Sequence, residues 1–390
     1  MLVASLVTAL GVLVVATLTQ LRGYRLAGTI GIPVVAVYAL KELATVPVFV
    51  FSTVVASVAL WLLRRRTLVY GRDELLFAMV VGSAVPLVLL LTLSETLDES
   101  FRNVVFLGSI LPGLAAYNYH GVKSEYQVAD VLVSVGLFVG LFGLGSALVS
   151  PALAETLGTL TPPVLYSETA EVAHWRGVVV ASDLQRTILA RPLTLAVFAV
   201  GMAGSEALRG RYGIRLGVIA VALLAVYTLS SVWLPVLYVL TLAVAYVALA
   251  VVHRASLLYG RVLISVGVAA GLAAALALVL AGIPVVRGLS AYFVAILGGI
   301  NAYNVHATPP RERRLVPLGQ VATFLPLVLV ARYFGEVGPR GAPQDLTLPV
   351  VVGGLAVALG CLVLVEVLSV DRPDGEAVFA DSVLSGGGGS

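Results

Sequence analysis

Ile110-Leu-Pro-Gly-Leu-Ala-Ala-Tyr-Asn-Tyr-His120 returns 186 residues later as Ile296-Leu-Gly-Gly-Ile-Asn-Ala-Tyr-Asn-Val-His306, with seven of the eleven positions identical and an apolar stretch leading into each copy. Other matches run collinear with this one. Gly28–Tyr38 falls on Gly217–Tyr227 and Leu68-Val-Tyr-Gly-Arg72 on Leu257-Leu-Tyr-Gly-Arg261, both at an offset of 189, and Arg65 falls on Arg254 at the same spacing. A nearly constant offset over separate stretches predicts an internal duplication, a recurring route to membrane folds.

The composition says what is duplicated. Of 390 residues, 59% are apolar and 12% charged, against about 25% charged in a soluble domain. The apolar runs are long, continuous and rich in Leu, Val and Ala, not alternating over about ten residues as barrel strands are. The expected fold is therefore all-α: a polytopic helical membrane protein. Spans are expected at 2–21, 26–40, 46–63, 74–93, 103–117 and 128–149, then 192–208, 214–230, 233–252, 262–281, 289–305 and 315–332, with a thirteenth at 347–368. Those of about 15 residues are short for a bilayer and suit re-entrant or half-buried helices.

Six spans per repeat is an even number, which keeps the two halves parallel and related by a pseudo-twofold axis along the membrane normal. The expected division is a first repeat over 1–150, an extracellular linker over 151–191 and a second repeat over 192–335. An extra span over 336–370, a cytoplasmic tail over 371–385 and a flexible Gly-Gly-Gly-Gly-Ser linker over 386–390 follow. In the first linker, Thr161-Pro-Pro163 breaks the chain and Ser182-Asp-Leu-Gln185 fits a capping box for a short helix over about 183–190. His174 and Trp175 suit an interface. The opening residues Met1–Gln20 lack a charged leading segment and read as a retained first span. With the N-terminus outside and the tail inside, the inner loops hold 16 of the 24 basic residues, as the positive-inside rule favours.

A net charge of +3 does not suggest nucleic acid, and the lone Cys361 cannot form an internal disulfide. The distinctive polar residues gather at inner helix ends. Asn118 and His120, with Asn304 and His306, either terminate helices at a frayed end or turn, or form a polar mouth shared by the halves. Two histidines without cysteines or a carboxylate set are a poor metal site. No glycine-rich phosphate loop is present, so neither metal nor cofactor is expected. The arginines Arg22, Arg25, Arg65, Arg72, Arg209, Arg254 and Arg261 either set topology and touch headgroups or bind a polyanion or an acidic partner. Glu206 and Glu366, near inner helix ends, are functional candidates or groups that snorkel to the interface.

Thr19-Gln-Leu-Arg-Gly23 running into Leu26-Ala-Gly28 and Pro33, then Leu68-Val-Tyr-Gly-Arg72, then Gly108-Ser-Ile-Leu-Pro-Gly-Leu-Ala-Ala116, resemble in order and spacing the membrane subunit of poly-γ-glutamate synthetase, the PgsC/CapC family. The resemblance covers roughly 1–150, and more faintly 192–335. Where the family commonly carries an acid ahead of the first inner glycine, this chain has Gln20, while the second half offers Glu206 nearby; Pro112-Gly113 becomes Gly298-Gly299. The resemblance implies a component of the cell membrane that works with a cytoplasmic ATP-dependent amide ligase, and with a further membrane-anchored subunit, in making or exporting an acidic polymer. The chain is then a non-catalytic or co-catalytic subunit of that synthetase. A stand-alone secondary transporter with parallel repeats is the alternative; it would have broken helices and mid-span charges, and the central thirds of the expected spans contain almost none of the latter. A membrane-embedded transferase using His120 or His306 as base is a third, weaker reading.

Overall fold

The computed structural model describes residues 1–96, 110–180 and 188–369, and among them the chain is helical throughout, without a β-strand. The capping box at 182–185, the start of the fifth expected span and the tail lie outside the described residues. The first half runs α1 (Leu2–Arg22), α2 (Gly31–Lys41), α3 (Thr45–Arg66), α4 (Arg72–Thr96), α5 (Leu111–His120) and α6 (Gln127–Leu148). Two short helices follow, α7 (Pro151–Leu157) and α8 (Glu171–Arg176). The second half runs α9 (Arg191–Tyr212), α10 (Val218–Thr228), α11 (Trp233–Ser256), α12 (Arg261–Leu280), α13 (Gly288–Ala307) and α14 (Leu315–Phe334), and α15 (Leu348–Ser369) ends it. Each expected span coincides with a helix, and nine helices among the described residues are long and apolar enough to cross a membrane.

The exceptions are informative. With 11 residues each, α2 and α10 rise about 16 Å, half of a hydrocarbon core of about 30 Å. Every residue of α2 is nevertheless buried. The chain ahead of α2 takes positive φ at Leu26, Ala27 and Gly28, and ahead of α10 at Gly217. The expected spans at 26–40 and 214–230 are thus broken: an irregular inner segment, then a half-length helix. Irregular backbone at such depth is tolerated where protein encloses it or where it lines a cavity.

Packing is built from matched sets. In the first half α3, α4 and α5 pack on one another, and in the second α11, α12 and α13 do so. α1 contacts α2 and α6, while α9 contacts α10 and α14. Across the centre, α1 packs on α12 and α9 on α4. α15 lies against α14 and buries only Ala358 and Val365, so most of its surface is left to lipid. At the far end the linker is not a loose tether. Val164, Leu165 and Tyr166 join the main core, Leu2 donates its amide N–H to Thr161 Oγ1 at 3.1 Å, and Leu43 donates to Glu171 Oε2 at 2.8 Å.

The repeated motif has a packing role. A Cβ on Gly113 would lie 2.0 Å from the Ala78 carbonyl oxygen, and one on Gly299 2.3 Å from that of Gly267. Both helices therefore approach their neighbours backbone to backbone, the use membrane proteins make of small residues. Gly113→Ala and Gly299→Ala are each expected to destabilise the detergent-solubilised protein by about 1–3 kcal/mol through overpacking. The readout is the thermal unfolding midpoint. Gly136→Ala, at a site with no neighbouring atom within 4 Å, should leave the midpoint unchanged or slightly raised.

Candidate functional site

Between the two halves lies a cavity of about 380 Å³, lined by equivalent residues from each. Gly28 and its counterpart Gly217 both line it, as do Arg72 and its counterpart Arg261, and Leu114 and Asn118 of α5 correspond to Ile300 and Asn304 of α13. The polar members sit at helix ends. Arg72 and Arg261 open α4 and α12, and the asparagines lie in the last turns of α5 and α13. Deeper positions are apolar, with Leu75, Met79, Ile264, Phe293 and Leu297 in the wall. Both half-helices start at this wall without a side-chain cap, so the positive ends of their dipoles are available to it.

The irregular segments are held from a distance. Asp130 on α6, buried, accepts the amide N–H of Arg25 at 2.6 Å and of Leu26 at 3.1 Å. In the second half Gln320 on α14 donates to the Leu216 carbonyl at 3.0 Å. Each segment then packs on an asparagine. A Cβ on Gly28 would lie 2.7 Å from Asn118 Nδ2, and one on Gly217 2.2 Å from Asn301 Oδ1. Glycine meets both demands there, positive φ and close approach.

The two arginines differ. Arg72 forms a forked pair with Glu206 of α9, with Nε 3.0 Å from both carboxylate oxygens and Nη2 closer still. Arg209 adds a contact to the same carboxylate at 3.3 Å. The pair ties α4 to α9 across the halves, so Glu206 is an interhelical partner, as is Glu366, which accepts from Arg211 at 2.7 Å and from Tyr212. Arg261 has no ion pair among the described residues, and its Nη1 is buried without a hydrogen-bond partner there.

Of the residues singled out in the sequence, the cavity collects Arg72, Arg261, Asn118 and Asn304. The histidines are elsewhere. His120 Nε2 lies 2.9 Å from the Ser57 carbonyl on α3, and His306 Nε2 lies 2.8 Å from His253 Nδ1 on α11. Residues two apart on a helix face opposite ways, which sends Asn118 to the cavity and His120 to α3. The helix runs through each asparagine and ends at or just after the histidine, at His120 in α5 and at Ala307 in α13. Arg64 donates to the His120 carbonyl and Arg313 to that of His306, satisfying the terminal carbonyls. Arg65 stacks over Trp61 at 4.0 Å, and Arg22, Arg25, Arg209 and Arg254 do not line the cavity.

Arg215 and Asn301 line it unforeseen, and Asp130 braces it. Asn301 had a signal in the offset comparison. Asn301 Nδ2 donates to the Tyr238 hydroxyl, and the equivalent positions of the first half hold Ala115 and Phe49. The polar pair has thus been exchanged as a pair.

Glu206→Gln leaves the Arg72 guanidinium without its counter-charge and should lower stability by about 1–3 kcal/mol. The thermal midpoint of the purified chain checks this. Thr17→Ala, at the position equivalent to Glu206 and exposed, should have little effect.

Residues 10–128, from within α1 to the start of α6, match a family model described as capsule biosynthesis CapC. This supports placing the first half in the PgsC/CapC family. No curated protein and no solved structure matches the chain.

Proposed function

We propose, for a chain whose residues 10–128 belong to the capsule biosynthesis CapC family, that it is the membrane subunit of a poly-γ-glutamate synthesis and secretion complex. It docks a cytoplasmic ATP-dependent amide ligase and receives the growing polyanion at the polar ends of the two halves. The observation that carries this beyond the family match is the cavity between the halves, lined by Arg72 and Arg261 at helix starts and by Arg215 in the irregular segment ahead of α10. Cations in a low-dielectric wall draw an acidic chain more strongly than the same charges in water.

The halves are duplicated modules in this reading. The parallel packing sets, α1 on α12 matched by α9 on α4, support it, as does the 189-residue spacing of Arg72 and Arg261 and of Gly28 and Gly217. The basic loops support a cytoplasmic location for the arginine-bearing ends.

A stand-alone secondary transporter is the second reading. The broken helices ahead of α2 and α10 favour it, because discontinuous helices that start at a central cavity are the usual form of such substrate sites. The two readings part on company. Solubilised from its native host, the chain is expected to bring down an ATP-dependent amide ligase, and its deletion should abolish capsular polyglutamate until the gene is restored. Clean isolation without a ligase, together with ion-coupled uptake in reconstituted vesicles, would overturn the complex in favour of the transporter.

A further inference from the structure

Three arginines line the cavity: Arg72 is neutralised, Arg215 is exposed, and Arg261 is the one whose guanidinium has a buried, unpartnered N–H edge among the described residues. Arg72 is matched by Glu206 of α9. α1, which takes the corresponding place in the first half, carries no Asp or Glu anywhere along Leu2–Arg22. The α1–α12 contact therefore lacks the acid that the α9–α4 contact has. Asp130 acts on the Arg261 charge from a distance but forms no ion pair with it, and its Oδ1 is engaged by two backbone amides. A guanidinium with a buried, unpaired N–H edge is costly unless a partner meets it, and its fork suits a carboxylate.

An acceptor accompanies it. Asn118 is 5% exposed and lines the cavity, and its Oδ1 is buried without a partner among the described residues. Its Nδ2 donates to the Leu114 carbonyl at 2.7 Å, so the free atom is the carbonyl oxygen. Asn301 is engaged elsewhere, bonded to the Tyr238 hydroxyl with its Oδ1 against Gly217. The wall thus offers a cation for an anionic group and an acceptor for an N–H donor. A γ-linked glutamyl unit carries both complements, an α-carboxylate and an amide N–H.

We propose that Arg261 is the carboxylate-binding residue of the cavity, holding the α-carboxylate of a γ-glutamyl unit while Asn118 accepts an amide N–H group, and that Arg72 serves the interface between the halves. The choice of a γ-glutamyl ligand rests on the reading of the chain as a polyglutamate subunit; the choice of Arg261 over Arg72 does not.

The test measures binding of synthetic tri-γ-glutamate to the full chain in nanodiscs by calorimetry, with folding of each variant checked by gel filtration and thermal melting. Expected is saturable binding that weakens about tenfold or more in Arg261→Gln and recovers in part in Arg261→Lys. The charge-neutral pair Arg72→Gln/Glu206→Gln should lose much less, and Arg340→Gln, at the far end, should control for loss of one positive charge. Wild-type affinity in Arg261→Gln, equal losses on removing Arg72 and Arg261, or absence of trimer binding to the folded chain would each overturn the proposal. Free glutamate bound as tightly as the trimer, with the same dependence on Arg261, overturns the polymer ligand. Failure to recover a ligase while the trimer binds through Arg261 counts against the complex and not against the site.

Discussion

A chain inside lipid has no water to satisfy its backbone, so every buried amide and carbonyl has to find a partner within the protein. Continuous helices meet this requirement locally, and the interruptions ahead of α2 and α10 do not. Their partners come from the sixth helix of each half. Asp130 of α6 supplies acceptors for two freed N–H groups, and Gln320 of α14 supplies a donor for a freed carbonyl. The packing of α2 on α6 and of α10 on α14 is in this sense what makes the breaks affordable. The breaks in turn set the half-length helices against the cavity, with their uncapped ends toward it.

The two halves are alike in backbone and unlike in charge. Where the first half has Arg64 paired with Glu74, the equivalent positions of the second hold His253 and Leu263, and His253 turns to His306 instead. Phe49 and Ala115 answer to Tyr238 and Asn301, and Thr17 answers to Glu206. None of these exchanges disturbs a helix, because each swaps side chains on a shared frame. Their sum is a cavity to which corresponding positions of the two halves bring different charges.

Helix positions were legible because transfer of long apolar runs out of water is a large and local signal. The reading 233–252 corresponds to Trp233–Ser256 and 347–368 to Leu348–Ser369. The break before α2 was not legible. Leu26 and Ala27 carry no turn signature, and their positive φ is stabilised by an acid more than a hundred residues away. Arg72 and Arg261 were found as a pair from their shared Tyr-Gly-Arg context. Which of them is neutralised depends on helices outside that context, α9 and α1. The asparagine and histidine of the repeated motif share a helix end but not a face, and only Asn118 and Asn304 reach the cavity.

The asymmetry also bears on what guidance of a polyanion means physically. A conduit must bind each unit weakly at several successive sites, since one deep well would halt transit. Here the wall beyond the polar helix ends is apolar, and the opposite end of the bundle is packed by linker residues such as Val164, Leu165 and Tyr166, with the Tyr166 hydroxyl bonded to the Leu148 carbonyl at 2.7 Å. Two arginines unpaired among the described residues, Arg215 and Arg261, placed together at the polar end, cannot form a ladder along such a wall. On the proposed function, Arg261 can grip one carboxylate and so hold the end of a growing chain near the membrane while a ligase adds the next unit.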